Sequence, residues 1–161
     1  MTESGRRDAA YYREQLKLEP HVEGGYFREY LQGEQETAPG RKAYSSIFFL
    51  LCENEVSHLH RLSYDEVWYF HDGNPLTIYM LTPEGELRTK KLGREIGKGE
   101  MPQIAVPAGV WFGAAMETPG FFLVGCMCAP AFRYEDFELM SAEQLESLYP
   151  RYRERLAKLI R

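Results

Sequence analysis

Between Ala43 and about Pro130, the sequence carries a series of short apolar runs that never acquire the period of a helix. Runs such as YSSIFFLL, QIAVP and GFFLVGCMC are rich in β-branched and aromatic residues, and glycine and proline separate them. Short strands at near-regular spacing are typical of closed or sandwiched antiparallel sheets. We therefore predict an all-β domain with a barrel or a sandwich at its centre.

Helical patterns occur towards the two ends of the chain. Residues 8–17 form a short helix candidate, with Asp8 available as its cap. Ser141 and Gln144 have the spacing of a capping box, which predicts that a second helix opens there. Pro150 suits the first position of a last helix, because that position needs no backbone N–H donor.

The rest of the chain gives no sign of a second domain. Residues 26–31 alternate in the manner of a strand, and the polar, turn-rich residues 32–42 predict a mobile loop. Nothing repeats, and no stretch has the composition of a linker. We predict one domain over residues 1–161, with a barrel core over about 18–140 and helices over 141–161.

Charge and cysteine content narrow the classes of protein that this chain can represent. The net charge of −5 argues against a binder of nucleic acid or of anionic membranes. The three cysteines, Cys52, Cys126 and Cys128, have no second metal-binding pair and are interpreted as buried free thiols. The first residues lack the apolar core of a signal peptide, so we expect a cytoplasmic protein.

Residues 57–73, SHLHRLSYDEVWYFHDG, concentrate the side chains that can do chemistry. On a strand, His58 and His60 project to one side, about 7 Å apart. Glu66 falls on the following strand, where its carboxylate can approach both imidazoles. Such a trio can bind a transition metal or hold a general base with its orienting partner. Trp68 shares the parity of Glu66 and would narrow an apolar pocket around it.

Three further features around this stretch carry predictions. His71 should point away from the pocket unless a bulge intervenes, and a turn at residues 72–74 should join two strands. Gln103 opens a later strand and is a candidate hydrogen-bonding group for a ligand. Trp111 follows a turn and either caps the pocket mouth or fills the core.

The stretch HLHRLSYDEVWYFHDG resembles the first motif of the cupins, in which H-x-H is followed by a glutamate and then a glycine. VPAGVWF resembles the start of their second motif. Together with HVEGGYFREY and APAFRYEDFEL, these motifs are similar to a cupin branch defined as a domain of unknown function. The resemblance covers roughly residues 18–140. It implies a double-stranded β-helix (jelly-roll) barrel with short terminal helices, often dimeric, with a ligand site inside.

One departure from the cupin pattern bears on metals. Phe112 stands where the second motif normally carries a histidine ligand, so these positions provide no closed four-ligand site. The resemblance leaves two alternatives open. His58, His60 and Glu66 could hold a divalent metal such as Fe, Mn, Ni or Zn with water completing its shell. Alternatively, the pocket is free of metal and one of the histidines acts as a base.

The stretch GGYFREY is also similar to a strand of the nucleotide-sugar 3,5-epimerases, which are metal-free cupins. In that family an R-G-aromatic-F-x-E segment helps to hold the nucleotide, and Phe27 and Glu29 match its F-x-E part. Gly24 or Gly25 replaces its arginine, and Arg28, on the other face of the strand, could serve instead. Arg28 and Glu29 are therefore candidate substrate-binding residues.

Three functions remain open at this point. The first is an isomerase or epimerase for a sugar-like or small polar metabolite, in which His58 or His60 is the base and Glu66 orients it. The second is a non-catalytic binding or sensor cupin, and the third is a metal-dependent dioxygenase. We expect a small-molecule ligand in each case, and a homodimer formed through the N-terminal strand.

Overall fold

The computed structural model describes residues 7–21 and 24–161 and shows a mostly β protein. Its strands come from the short apolar runs of the sequence, in which alternate side chains face opposite sides. In the described part of the chain, strands β1 to β14 span Glu19–Pro20, Tyr26–Gln32, Glu36–Ala38, Arg41–Lys42, Ser45–Cys52, Ser57–Arg61, Asp65–Gly73, Leu76–Leu81, Leu87–Leu92, Glu100–Met101, Gln103–Val106, Trp111–Ala115, Phe121–Ala129 and Glu138–Leu139.

Two six-stranded sheets form the two walls of the barrel. The first sheet has the order β1-β2-β5-β13-β7-β11, and the second has the order β10-β9-β8-β12-β6-β14. Neighbouring strands are antiparallel, except that β10 pairs in parallel with β9. The predicted jelly-roll barrel is thus confirmed.

The helices lie near the ends of the chain, as predicted. Helix α1 spans Ala9–Gln15, α2 spans Ala142–Leu148 and α3 spans Arg153–Leu156. The Asp8 side chain accepts a hydrogen bond from Tyr11 N and caps α1, and both bonds of the Ser141 capping box form at α2. One prediction was incomplete. The proline at position 150 begins a 3-10 turn that precedes α3, instead of starting one continuous helix.

Several apolar layers hold the sheets and helices together. The largest lies inside the barrel and includes Trp68 and Phe112. Helix α1 covers the outer face of the first sheet, where Leu50 is buried. The C-terminal helices cover the outer face of the second sheet, and Leu156 and Leu159 there are fully buried. Both faces of each sheet are therefore largely covered, which explains why so few strands alternate cleanly between apolar and polar residues.

The turn predicted near residues 72–74 joins two strands, β7 and β8. These strands belong to different sheets, so the chain crosses the barrel at this turn. Gly73 permits this crossing, because its φ is +94° and a Cβ atom would lie 2.2 Å from the Phe121 carbonyl oxygen. The register of β7 shifts nearby, and His71 lies outside the barrel beside the Phe48 ring. The outward direction predicted for His71 is therefore confirmed.

Two other expectations concern the loop and the cysteines. Residues 32–42 are not structureless, because β3 and β4 pair there as a short two-stranded ribbon. Cys126 and Cys128 are buried free thiols on one face of β13, as predicted, whereas Cys52 is free but only half-buried. None of the helices in the described part of the chain has the length and apolarity that a bilayer crossing requires.

Candidate functional site

A cavity of about 190 Å³ opens between the two sheets at one end of the barrel. Its walls are mostly apolar, and aromatic rings contribute much of their surface. Ionisable side chains from several strands and loops interrupt this apolar wall, and polar groups converging on an apolar cavity are the usual composition of a small-molecule site. Among the described residues, these ionisable side chains are His21, Glu29, His58, His60, Glu66, Cys126, Cys128 and Tyr134.

Both histidines of the H-x-H pair face this cavity. The intervening Leu59 is 1% exposed and packs on the other side of β6, among the residues that contact the C-terminal helices. This local alternation fixes the direction of His58 and His60, because neighbouring side chains on a strand point to opposite faces.

Glu66 reaches the same cavity from the opposite wall. We expected it on a strand adjacent to the histidines, but β6 and β7 belong to different sheets. The carboxylate therefore approaches His60 across the barrel interior, with 3.9 Å between Glu66 Oε2 and His60 Nε2. Both residues are more than nine-tenths buried.

The surroundings of His60 determine which of its nitrogens is available. Its Nδ1 lies 2.7 Å from the His58 carbonyl oxygen, an acceptor, so Nδ1 carries a proton. In the neutral ring, Nε2 is then the nitrogen with a lone pair, and it faces Glu66. The ring lies between Phe112, with 4.2 Å between centroids, and Phe137, with 5.0 Å. These contacts hold the imidazole in one orientation.

The Glu66 carboxylate is also held in place. The indole Nε1 of Trp68 donates to Oε1 over 3.0 Å, which leaves Oε2 directed at His60. Burial, followed by the nearby charge of Glu66, raises the pKa of both the Cys126 and Cys128 thiols. The two thiols therefore stay protonated near neutral pH and do not serve as nucleophiles.

The potential metal ligands in the described part of the chain are not arranged to bind a metal ion. Within residues 7–21 and 24–161, no three His, Cys, Asp or Glu side chains are placed to share one. Phe112, at the position of the missing cupin histidine, packs its ring on His60 and offers no ligand atom. The arrangement brings one imidazole and one carboxylate together at the cavity wall.

Two of the five predicted substrate-binding residues, Glu29 and Trp68, line the cavity, and three do not. Gln103 is exposed, because its neighbour Ile104 faces the core. Trp111 packs beneath the C-terminal helices, since Phe112 takes the inward position.

Arg28 is the third predicted residue that lies outside the cavity. It extends from the outer face of β2, and its guanidinium donates to the Leu16 carbonyl oxygen. Arg28, Gln103 and Trp111 each lie on the face of their strand that points away from the cavity, because side chains alternate between the two faces.

The sequence-based prediction missed His21 as a cavity residue. Its ring contacts Phe27, with 4.8 Å between centroids, at the edge of the cavity. The only signal in the sequence was the position of His21 at the start of the motif HVEGGYFREY.

Residues 132–139, here called the cap segment, cover part of the cavity and contribute Phe132, Tyr134 and Phe137 to its wall. Two backbone N–H groups tie this segment to the barrel. Phe132 N donates to Ser45 Oγ over 2.9 Å, and Arg133 N donates to the Tyr64 hydroxyl over 3.0 Å.

Asp136 is the main electrostatic anchor of the cap segment. It accepts two hydrogen bonds from the Arg133 guanidinium and lies 3.1 Å from Arg41 of β4. The Arg41 and Asp136 side chains are only 13% and 14% exposed. The hydrogen bonds from Arg133, with the charges of Arg133 and Arg41, hold the pKa of the Asp136 carboxyl below its usual range.

We expect the Asp136→Ala substitution to lower the free energy of unfolding by about 2 kcal/mol at pH 7, between the values of exposed and buried ion pairs. Because the folded pKa is depressed, this stabilisation is present above the unfolded carboxyl pKa and disappears as the pH falls through the folded value. Urea unfolding at pH 7 and at pH 3 measures both effects. Glu135→Gln, at an exposed neighbouring position, is the control. If Asp136→Ala lowered the free energy of unfolding by the same amount at pH 7 and pH 3, the charge of Asp136 would not be what anchors the cap segment.

Comparison with known proteins identifies relatives over nearly the whole chain. The model of the Cupin superfamily (DUF985) family matches residues 11–140. An X-ray structure of a Shewanella oneidensis protein is 50% identical, with a TM-score of 0.92, and the match covers 96% of this chain and 98% of that one. A hypothetical protein from Leishmania major is 32% identical, with a TM-score of 0.87, covering 95% of this chain and 98% of that one.

A more distant likeness extends to an enzyme. Oxalate decarboxylase from Bacillus subtilis is 15% identical, with a TM-score of 0.59, and the match covers 87% of this chain and 36% of that one. At this identity the likeness shows a shared fold alone. No protein with a curated description matches the chain.

Proposed function

Because the chain belongs to the cupin superfamily, in its DUF985 family, we propose that it binds a small metabolite in the barrel cavity and isomerises or epimerises it by proton transfer. The observation that carries this proposal is the buried pair of His60 and Glu66. One nitrogen of the imidazole is fixed by a backbone carbonyl, and the other faces a carboxylate at the cavity wall.

The pair provides a base whose protonated form is stabilised. His60 Nε2 removes a proton from a carbon next to a carbonyl group of the metabolite, and the electrons of that C–H bond move to the carbonyl oxygen. The Glu66 carboxylate stabilises the imidazolium that results. Return of the proton to the opposite face of the same carbon gives an epimer. Return to the neighbouring carbonyl carbon gives an isomer when that first carbon carries a hydroxyl group, whose proton passes to the other oxygen as the new carbonyl forms.

The surroundings suit this chemistry. His60 is 7% exposed and Glu66 is 8% exposed, so few water molecules compete for the transferred proton. The aromatic contacts of the imidazole hold it in place before a ligand arrives, and a positioned group needs little reorganisation during reaction.

Deuterium transfer tests the proposal even for an unidentified substrate. The purified protein is incubated with a cellular metabolite extract in D₂O, and mass spectrometry detects metabolites that gain a deuteron at carbon. We expect the wild-type protein to label at least one metabolite and its isomer or epimer. The His60→Gln variant should leave that metabolite unlabelled, because glutamine cannot act as a base.

A chain that captures a metabolite tightly and returns it without deuterium would instead be a binding protein. That result, or equal labelling by wild type and His60→Gln, would overturn the catalytic proposal. Circular dichroism of the variant establishes that its fold is intact.

A further inference from the structure

We propose that the ligand of this cavity is a small organic cation, a protonated amine with an apolar or aromatic body. This inference deepens the proposed function and rests on it for the identity of the site. It concerns the class of the substrate, which for a proton-transfer enzyme of this kind would be an amino-substituted carbonyl compound. The charges, the hydrogen-bond acceptors and the aromatic rings of the cavity wall each support it.

The fixed charges on the cavity wall are negative. Glu29 and Glu66 contribute carboxylates, and no lysine or arginine lines the cavity among the residues that the structure describes. The arginines of the cap segment and its neighbours are already paired, since Arg41 and Arg133 contact Asp136 and Arg61 contacts Glu138. They provide no charge for an anionic ligand.

Glu29 has no ion-pair partner among residues 7–21 and 24–161. Its strand places it on the cavity side, because Phe27 lies inward two positions earlier. Because Glu29 is exposed, water solvates its carboxylate, and Glu29 adds only a weak attraction for a ligand cation to that of the buried Glu66.

Two hydrogen-bond acceptors face each other in the buried part of the cavity. Glu66 Oε2 and the lone pair of His60 Nε2 face each other over 3.9 Å, a separation too long for a direct hydrogen bond. An ammonium group has three N–H donors, so it can donate to Glu66 Oε2 and leave the lone pair of His60 Nε2 free to act as the base. A ligand carboxylate or phosphate has none, and it would meet Glu66 with like charge.

The aromatic wall favours the same class of ligand. Phe27, Phe49, Phe132, Phe137 and Tyr134 line the cavity. The electron-rich face of an aromatic ring attracts a cation, and this attraction increases where water is excluded. The rings also provide an apolar surface for the body of the ligand.

Three probes of similar shape and different charge test the proposal: benzylamine, benzyl alcohol and benzoate. Their dissociation constants are measured by ligand-observed NMR or calorimetry at pH 7.5, where the amine is protonated. We expect benzylamine to bind at least about tenfold more tightly than benzyl alcohol, because a charge-assisted hydrogen bond is stronger than a neutral one. Benzoate should bind more weakly than either.

The preference for the amine should fall about tenfold in Glu66→Gln and by less in Glu29→Gln, whose carboxylate is exposed, and it should persist in Glu53→Gln, whose carboxylate is exposed and outside this cavity. Tightest binding of benzoate, equal binding of the alcohol and the amine, or binding of none of the three would overturn the proposal. Binding is measured without turnover, so a failure of deuterium labelling alone would overturn the catalytic function and leave the ligand class standing.

Discussion

Replacing Phe112 with alanine should lower the free energy of unfolding by about 3–5 kcal/mol, which is the usual cost of deleting a buried phenyl ring. The ring is 1% exposed and packs against His60 and Trp68, with centroid distances of 4.2 and 6.2 Å. It joins the apolar core of the barrel to His60 at the cavity wall. Strands on both sides of β12 restrain the backbone there, so the space that alanine leaves cannot close easily.

Urea unfolding of the Phe112→Ala variant, monitored by tryptophan fluorescence, measures this loss. Tyr30→Ala is the matched control, since Tyr30 is 59% exposed and its truncation should change the free energy of unfolding by less than about 0.5 kcal/mol. Phe112→Leu should retain most of the stability because leucine fills much of the same volume. Equal effects of the Phe112→Ala and Tyr30→Ala substitutions would show that Phe112 does not belong to a packed core.

Replacing Glu66 with glutamine should slow the deuterium labelling of the metabolite by about 100-fold or more, the range expected when general-base catalysis is impaired. The amide keeps an oxygen that can accept the Trp68 indole hydrogen bond, so the shape of the site is preserved. It lacks the negative charge that stabilises a protonated His60 across the 3.9 Å separation. The effect should therefore fall on kcat more than on KM for a neutral probe substrate.

The control for this experiment is Glu53→Gln, which removes one carboxylate from an exposed position outside the cavity and should leave the labelling rate unchanged. Thermal unfolding of both variants should show similar midpoints. A Glu66→Gln variant with the wild-type rate would show that Glu66 does not support the base, even though it lies beside His60.

The pH dependence of the cap segment provides a separate view of the same cavity. Asp136 does not line the cavity wall, yet it anchors the segment that contributes Phe132 and Phe137 to that wall. Loss of its charge at low pH should weaken ligand binding by releasing the cap before the barrel itself unfolds. This effect arises in the cap segment, whereas His60 and Glu66 lie on strands of the barrel, which stays folded when the cap is released.

Part of the candidate site could be predicted from the sequence. The face of a strand on which a side chain lies depends only on its position relative to its neighbours in that strand. The spacing of His58 and His60, and that of Glu66 and Trp68, predicted that each pair shares one face, and all four side chains line the cavity. The same rule explains Gln103, whose neighbour Ile104 is the apolar residue that faces the core.

The local sequence does not predict which part of the chain packs on each face of a strand. Trp111 is as apolar as Phe112, and no local pattern favours either of them for the cavity. In the structure, the C-terminal helices cover one side of β12, so Trp111 packs beneath them and Phe112 takes the inward side. The cap segment likewise depends on Arg41, which lies 95 positions before Asp136 in the chain.

The sequence by itself determined that short strands form and that helices flank them. It also determined that His58 and His60 share one face of their strand and that Glu66 and Trp68 share one face of theirs. These features depend on backbone geometry within a few residues. The tertiary structure decided that β6 and β7 lie in opposite sheets, and hence that His60 and Glu66 meet across the barrel. Which sheets face each other depends on the burial of apolar surface contributed by distant parts of the chain, and no local pattern encodes that arrangement.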